Sequence, residues 1–144
     1  MDEDILEMLK KMPLFEKVSP RVLWRVAGIA QIKDYKTDDV LLIEGKEAMG
    51  CFLILEGEVG IFKHLNDPAE TQVAAVGEGE IVGELSVIDG LPHSASAKAL
   101  TAVHCLYISP WDFKEQMQAY PELAVQLLPV VTIRLRKMLE ALSK

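Results

Sequence analysis

The chain reads as a mainly β domain with flanking helices, folded as an antiparallel roll or barrel. Two observations predict this. Between Gln31 and Ile108, short apolar or alternating runs recur with glycines and turn residues between them. Outside that stretch, the apolar residues step by three and four, the period of a helix with one buried face.

The elements follow in order. Ile5, Leu6, Leu9 and Met12 recur at helical spacing, with Asp2 or Asp4 placed to cap the open amides. Ser19-Pro20 opens a second helix, a cap followed by the residue best tolerated at the first helical position; its apolar face is Leu23, Val26, Ala27 and Ala30. Strands are expected at Val40 to Ile43, Cys51 to Leu55, Val59 to Phe62, Val73 to Val76, Ala97 to Leu100 and Val103 to Ile108. Gly45, Gly50, Gly57, Asn66-Asp67-Pro68, Gly77, Gly79 and Gly90 mark the turns. Helix resumes at Ser109-Pro110, where Asp112 stands in capping-box position, and Tyr120-Pro121 ends it and starts the last helix.

That last helix, Pro121 to about Ser143, carries Leu128, Val131, Leu135, Met138 and Leu142 at a/d spacing, with Pro129 expected to kink its first turns. The seam has two readings: it packs onto the chain's own strands, or it pairs with the same helix of a second subunit. No linker or low-complexity stretch interrupts the chain, so residues 1–144 are expected to form one domain.

Composition narrows the function. The net charge is −7, which repels nucleic-acid backbones, so direct nucleic-acid binding is not expected. Cys51 and Cys105 have neither metal-type spacing nor the density of a disulfide framework, which fits a reducing cytoplasm. The acidic Met1-Asp2-Glu3-Asp4 start is unlike a secretory signal, and no segment reaches the roughly 20 apolar residues of a membrane span.

The three histidines, His64, His93 and His104, lack the close strand spacing of a metal site, so His64 and His104 are expected to be ordinary strand residues. Cys105 beside His104 is no thiol–imidazole pair, because strand neighbours face opposite sides; a small buried hydrophobe is expected there. Trp24 and Trp111 fall at helix positions that core packing explains. No nucleophile elbow, P-loop or zincin motif is present, so the chain is not expected to be an enzyme.

One segment carries chemistry, Gly79 to Ala97. A strand ends at Gly83, which lets the backbone approach a ligand, and a very short helix begins at Glu84. The first amides, around Leu85 and Ser86, point outward and suit an anion. Glu84 can accept hydrogen bonds from sugar hydroxyls, while Ser94 and Ser96 add hydroxyls beyond a turn.

Val82-Gly83-Glu84-Leu85-Ser86 and Pro92-His93-Ser94-Ala95-Ser96 resemble the two halves of the phosphate-binding cassette of the cyclic-nucleotide-binding family, as found in catabolite activators and protein-kinase regulatory subunits. Glu84 and His93 keep the spacing of that family's Glu and Arg in its kinase branch. Leu42 to Gly45 and Phe52 to Val59 resemble its E-G and F-x-I-x-x-G-x-V strands, and Pro121-Glu122-Leu123-Ala124 its closing helix. The resemblance covers roughly residues 15–139.

It implies a jelly-roll-like β-roll with N-terminal helices and a C-terminal helical lid. It also implies cAMP or cGMP as ligand: the amides of Gly83, Leu85 and Ser86 on the phosphate, Glu84 on the ribose 2′-hydroxyl, and Ser94 and Ala95 lining the phosphate. In the activator branch a helix-turn-helix domain follows; none is expected before Lys144.

One departure governs the functional expectation. The family's arginine is His93 here, which has no planar fork and is mostly neutral at pH 7. Its loss should cost on the order of 1.5–3 kcal/mol of phosphate binding. Lys98, the next cation, is expected on the opposite strand face. The expectation is therefore a regulatory sensor domain with weak or lost cAMP and cGMP affinity. The alternative is a ligand-free dimerisation or protein-interaction module that uses the 121–143 helix.

Overall fold

A computed structural model describes residues 2–143, without the side chains of Asp2 and Glu3. The first helix, α1, spans Asp2–Lys10, so Asp4 lies inside it and the Asp2 cap falls outside the described side chains. A 3-10 turn follows over Pro13–Phe15, then α2 over Pro20–Ile29. The strands are β1 (Gln31–Tyr35), β2 (Val40–Leu42), β3 (Cys51–Glu56), β4 (Val59–Lys63), β5 (Thr71–Val76) and β6 (Ile81–Val82). After a short helix, α3 (Glu84–Asp89), come β7 (Ser96–Ala99), β8 (Val103–Ile108), α4 (Pro110–Ala119) and α5 (Pro121–Leu142).

The chain divides into two compact units, Ile29–Lys114 and the two terminal segments up to Gly28 and from Glu115 onward. The terminal unit is helical. Ser19 caps α2, with its hydroxyl accepting the Val22 N–H at 3.4 Å and its carbonyl the Leu23 N–H at 3.0 Å. The Glu122 carboxylate accepts the Ser19 N–H at 3.0 Å, tying the start of α2 to the start of α5. Val22, Leu23, Val26 and Ala27 of α2 and Leu123 and Leu127 of α5 are buried. α5 continues through Pro129, whose missing N–H removes one rung from the helix ladder.

The central unit holds two four-stranded antiparallel sheets, ordered β1-β8-β3-β6 and β2-β7-β4-β5. Both contribute to one apolar core: Phe52, Ile54, Val82, Val103 and Cys105 from the first, and Leu41, Leu42, Val59, Val76, Ala97 and Ala99 from the second. Phe52 lies between Tyr35 and Tyr107, at ring-centroid distances of 5.8 and 5.3 Å. This is the expected architecture, two packed antiparallel sheets with flanking helices.

Three local expectations need correcting. Trp24 and Trp111 are 53% and 77% exposed, because helical periodicity names a face without saying what covers it. His64 lies one residue past β4 with φ 56°, in a bend rather than a strand. β1 had no counterpart among the expected strands.

Candidate functional site

The site begins with β6. Its pairing with β3, Val82 opposite Phe52 and Ile81 opposite Leu53, carries the chain up to Gly83. Gly83 takes φ 91° at the N-cap of α3, a region that disfavours any residue with a Cβ. A Cβ there would also collide with the Gly50 carbonyl oxygen. Glycine is required on both counts, and it sets Glu84 at the head of α3.

Within α3, Glu84, Ser86 and Val87 are buried, whereas the Leu85 side chain faces out at 47% exposure. Glu84 is only 2% exposed. Its charge adds to burial in pushing the Cys51 thiol well above its ordinary value, burial being the larger cause. Gly90 closes the helix in the left-handed region, its N–H bonded to the Ser86 carbonyl at 3.0 Å.

His93 follows on the return of the chain and is 5% exposed. Its Nε2 accepts the backbone N–H of Met49 at 2.9 Å, and its Nδ1 lies 3.1 Å from the Ser86 hydroxyl. An acceptor at Nε2 puts the ring proton on Nδ1, the neutral tautomer that donates to Ser86. Burial lowers its pKa from the ordinary histidine value, in keeping with an uncharged ring. The main chain is fastened too: the His93 N–H donates to the Lys46 carbonyl at 2.8 Å, and its carbonyl accepts the Gly45 N–H at 2.9 Å.

Beyond His93 the segment meets β4. The Ser94 carbonyl accepts from the Lys63 ammonium at 2.5 Å, and Lys63 pairs with Glu44 at 2.7 Å. Glu44 also accepts the His64 N–H at 2.9 Å, and these bonds, Lys63 first, hold its carboxyl below the usual range. Ser96 is buried and accepts the Glu44 N–H at 2.9 Å; Ala95 is half-buried. Lys98 lies elsewhere, 3.8 Å from Asp38 and over the Phe62 ring.

Gly83, Glu84, Ser86 and His93 are thus gathered at one end of the central unit, with Ser94 and Ala95 adjoining. The sequence reading missed Lys63, Glu44 and the Met49 amide. Lys63 had a signal: it continues the alternation of Val59 and Ile61, both at the core layer. Met49 had none, because a backbone donor leaves no mark on residue type. A surface hollow of roughly 430 Å³ is lined by Asp34, Tyr35, Glu56, Ala102, Val103 and His104, none of them a cassette residue.

With this geometry in view, three comparisons apply. A family model described as the cyclic nucleotide-binding domain matches residues 32–120. The chain is similar to a solved cyclic nucleotide-binding domain from Methylobacillus flagellatus KT, with 32% identity, 94% of this chain and 79% of that chain covered, and a TM-score of 0.77. It is also similar to the solved catabolite activator protein of Thermus thermophilus, with 27% identity, coverage of 91% and 62%, and a TM-score of 0.76. A CRP-like cAMP-activated global transcriptional regulator of Mycobacterium tuberculosis is 27% identical over 131 residues, 91% of this chain. The chain spans 58% of that regulator's length.

Proposed function

The chain belongs to the cyclic nucleotide-binding domain family, and from that premise we propose that it is a regulatory, non-catalytic domain of the cytoplasm whose cassette has lost tight affinity for cAMP and cGMP. Residues 1–144 act together as one domain. Gly83, Leu85 and Ser86 offer their amides to the ligand's phosphate and Glu84 its carboxylate to the ribose, while Ser94 and Ala95 line the phosphate. His93 stands where the family's arginine stands but turns both ring nitrogens to protein partners.

That last observation carries the reading. A neutral imidazole already bonded at both nitrogens adds no charge to a phosphate site, so the contact of on the order of 1.5–3 kcal/mol is missing. The cation touching the cassette, Lys63, is already matched by Glu44. No helix among the described residues is long and apolar enough to cross a membrane.

The test is calorimetric titration with cAMP and with cGMP, on the wild type and on His93→Arg, with thermal melts to confirm that the variant is folded. Weak or undetectable binding in the wild type, with affinity rising about 10- to 100-fold in His93→Arg, is expected. Submicromolar wild-type binding would overturn the lost-affinity reading. A folded His93→Arg protein that still ignores both nucleotides would remove the nucleotide reading altogether.

One observation favours a second reading, self-association through α5. Leu128, Leu135, Met138 and Leu142 of the a/d seam are 62%, 56%, 63% and 82% exposed, more apolar surface than a helix keeps in water without reason. Sedimentation velocity should then give a dimer for the wild type and a monomer for Leu135→Glu, which an exposed position tolerates. A wild type that stays monomeric at high concentration would exclude this reading.

A further inference from the structure

We propose that His93 is a proton-operated latch: in its neutral form its ring clasps α3 to Met49 of the 43–50 loop, and protonation releases that link while the backbone bonds of His93 to Gly45 and Lys46 hold. The inference concerns the ligand-free protein and does not depend on which nucleotide, if any, binds.

A backbone amide can only donate, so the 2.9 Å bond from the Met49 N–H requires a lone pair on Nε2. A second proton would go to that nitrogen and set two donors against each other in a site only 5% exposed. The ring cannot stay where it is once charged. On its other side Nδ1 holds the Ser86 hydroxyl at 3.1 Å, so the ring joins α3 to the loop. Met49 is itself braced, its carbonyl accepting the Tyr107 hydroxyl at 2.8 Å. Withdrawal of the ring therefore unfastens α3 from Met49 while the loop stays held against β8.

The titratable groups on the elements around the ring are Glu84 and Asp89 on α3, Glu44, Lys46 and Glu47 in the loop, Cys51 and Glu56 on β3, Lys63 on β4, and His104 and Tyr107 on β8. Lys63 and Glu44 cancel as an ion pair. The Cys51 thiol and the Tyr107 hydroxyl are both pushed up by burial and stay neutral through the pH range concerned. Burial lowers the His93 pKa below the ordinary histidine value. The sign follows. A depressed pKa means that the closed form binds fewer protons than the open one. Its advantage is present above the open-state value of about 6.5 and is lost as the pH falls below it.

The test compares the wild type with His93→Gln by amide hydrogen exchange and by NMR of the ring. A glutamine at 93 can accept from Met49 and donate to Ser86, and it does not titrate. The expected result is a wild-type ring protonated on Nδ1 at pH 7.5. Protection of the Met49 amide should also fall roughly tenfold more in the wild type than in His93→Gln between pH 7.5 and 5.5, after correction for intrinsic exchange. Equal pH dependence in the two proteins, or a ring pKa at or above about 6.5, would overturn the latch. Should His93→Gln fail to fold, the wild-type ring titration and tautomer decide alone.

Discussion

Gly83→Ala should cost about 3 kcal/mol or more of folding stability. Two penalties coincide there. The φ of 91° disfavours a Cβ, and the added carbon meets the Gly50 carbonyl oxygen, a backbone atom with no rotamer to move into. Gly50 cannot retreat, since its own Cβ position is closed off by the Tyr107 ring and the Ile108 carbonyl. Gly90→Ala is the matched control. It sits at the other end of α3 with φ 72° but has nothing within 4 Å of its Cβ position. It should lose only the conformational cost, about 1 kcal/mol. Urea denaturation of the three proteins measures both, and the larger loss corresponds to a Tm lower by about 10 °C. Equal losses at the two glycines would mean that the cassette relaxes away from β3 and that the close approach is not required.

The contrast also shows how far residue types could be read. Gly83, Glu84 and the short helix were legible because a glycine between an apolar pair and a carboxylate is a local signal, and α3 is a local structure. The cap at Ser19 and the strands from Val40 to Ile108 were legible on the same terms. β1 was not: Gln31–Tyr35 is an edge strand with mostly exposed side chains, where Lys33 and Asp34 mask the alternation. It is defined by its partner, with Gln31 opposite Tyr107 and Tyr35 opposite Val103. The two tryptophans failed differently, since a helix's period cannot say whether a neighbour lies over a given face.

The cassette divides along the same line. Its members could be named by resemblance to the family's motif, but the direction of the His93 ring could not. That direction is decided by Met49, 44 residues away, through an amide that any residue but proline would present. A histidine at this position reads as a weak stand-in for a phosphate ligand until its acceptor nitrogen is seen to be occupied. The charge balance was hidden for a related reason. Lys63 and Glu44 come from different elements, and each alone is an ordinary surface residue.

Phe52→Ala should lose about 3–5 kcal/mol, a large share of the roughly 5–15 kcal/mol that holds a domain together. Phe52 is 3% exposed in the core and packs against Tyr35 and Tyr107, so truncation removes its own buried area and the ring contacts of both neighbours. Phe52→Leu keeps most of the volume and should lose about 1.5 kcal/mol. The consequence reaches the site through β3. Phe52 is the register partner of both Val82, which leads into Gly83, and Tyr107, whose hydroxyl braces Met49. The two supports of the His93 clasp therefore meet at one side chain. Denaturant titration gives the stabilities, and amide exchange at Met49 in the folded Leu variant reads the clasp. Phe52→Leu should keep that amide protected at pH 7.5, whereas Phe52→Ala, studied cold enough to remain folded, should lose protection there before β7 and β8 do. A Phe52→Ala protein that lost less than about 1.5 kcal/mol and kept Met49 protected would show that the clasp is carried by the backbone ladder of β3 alone, without the aromatic cluster behind it.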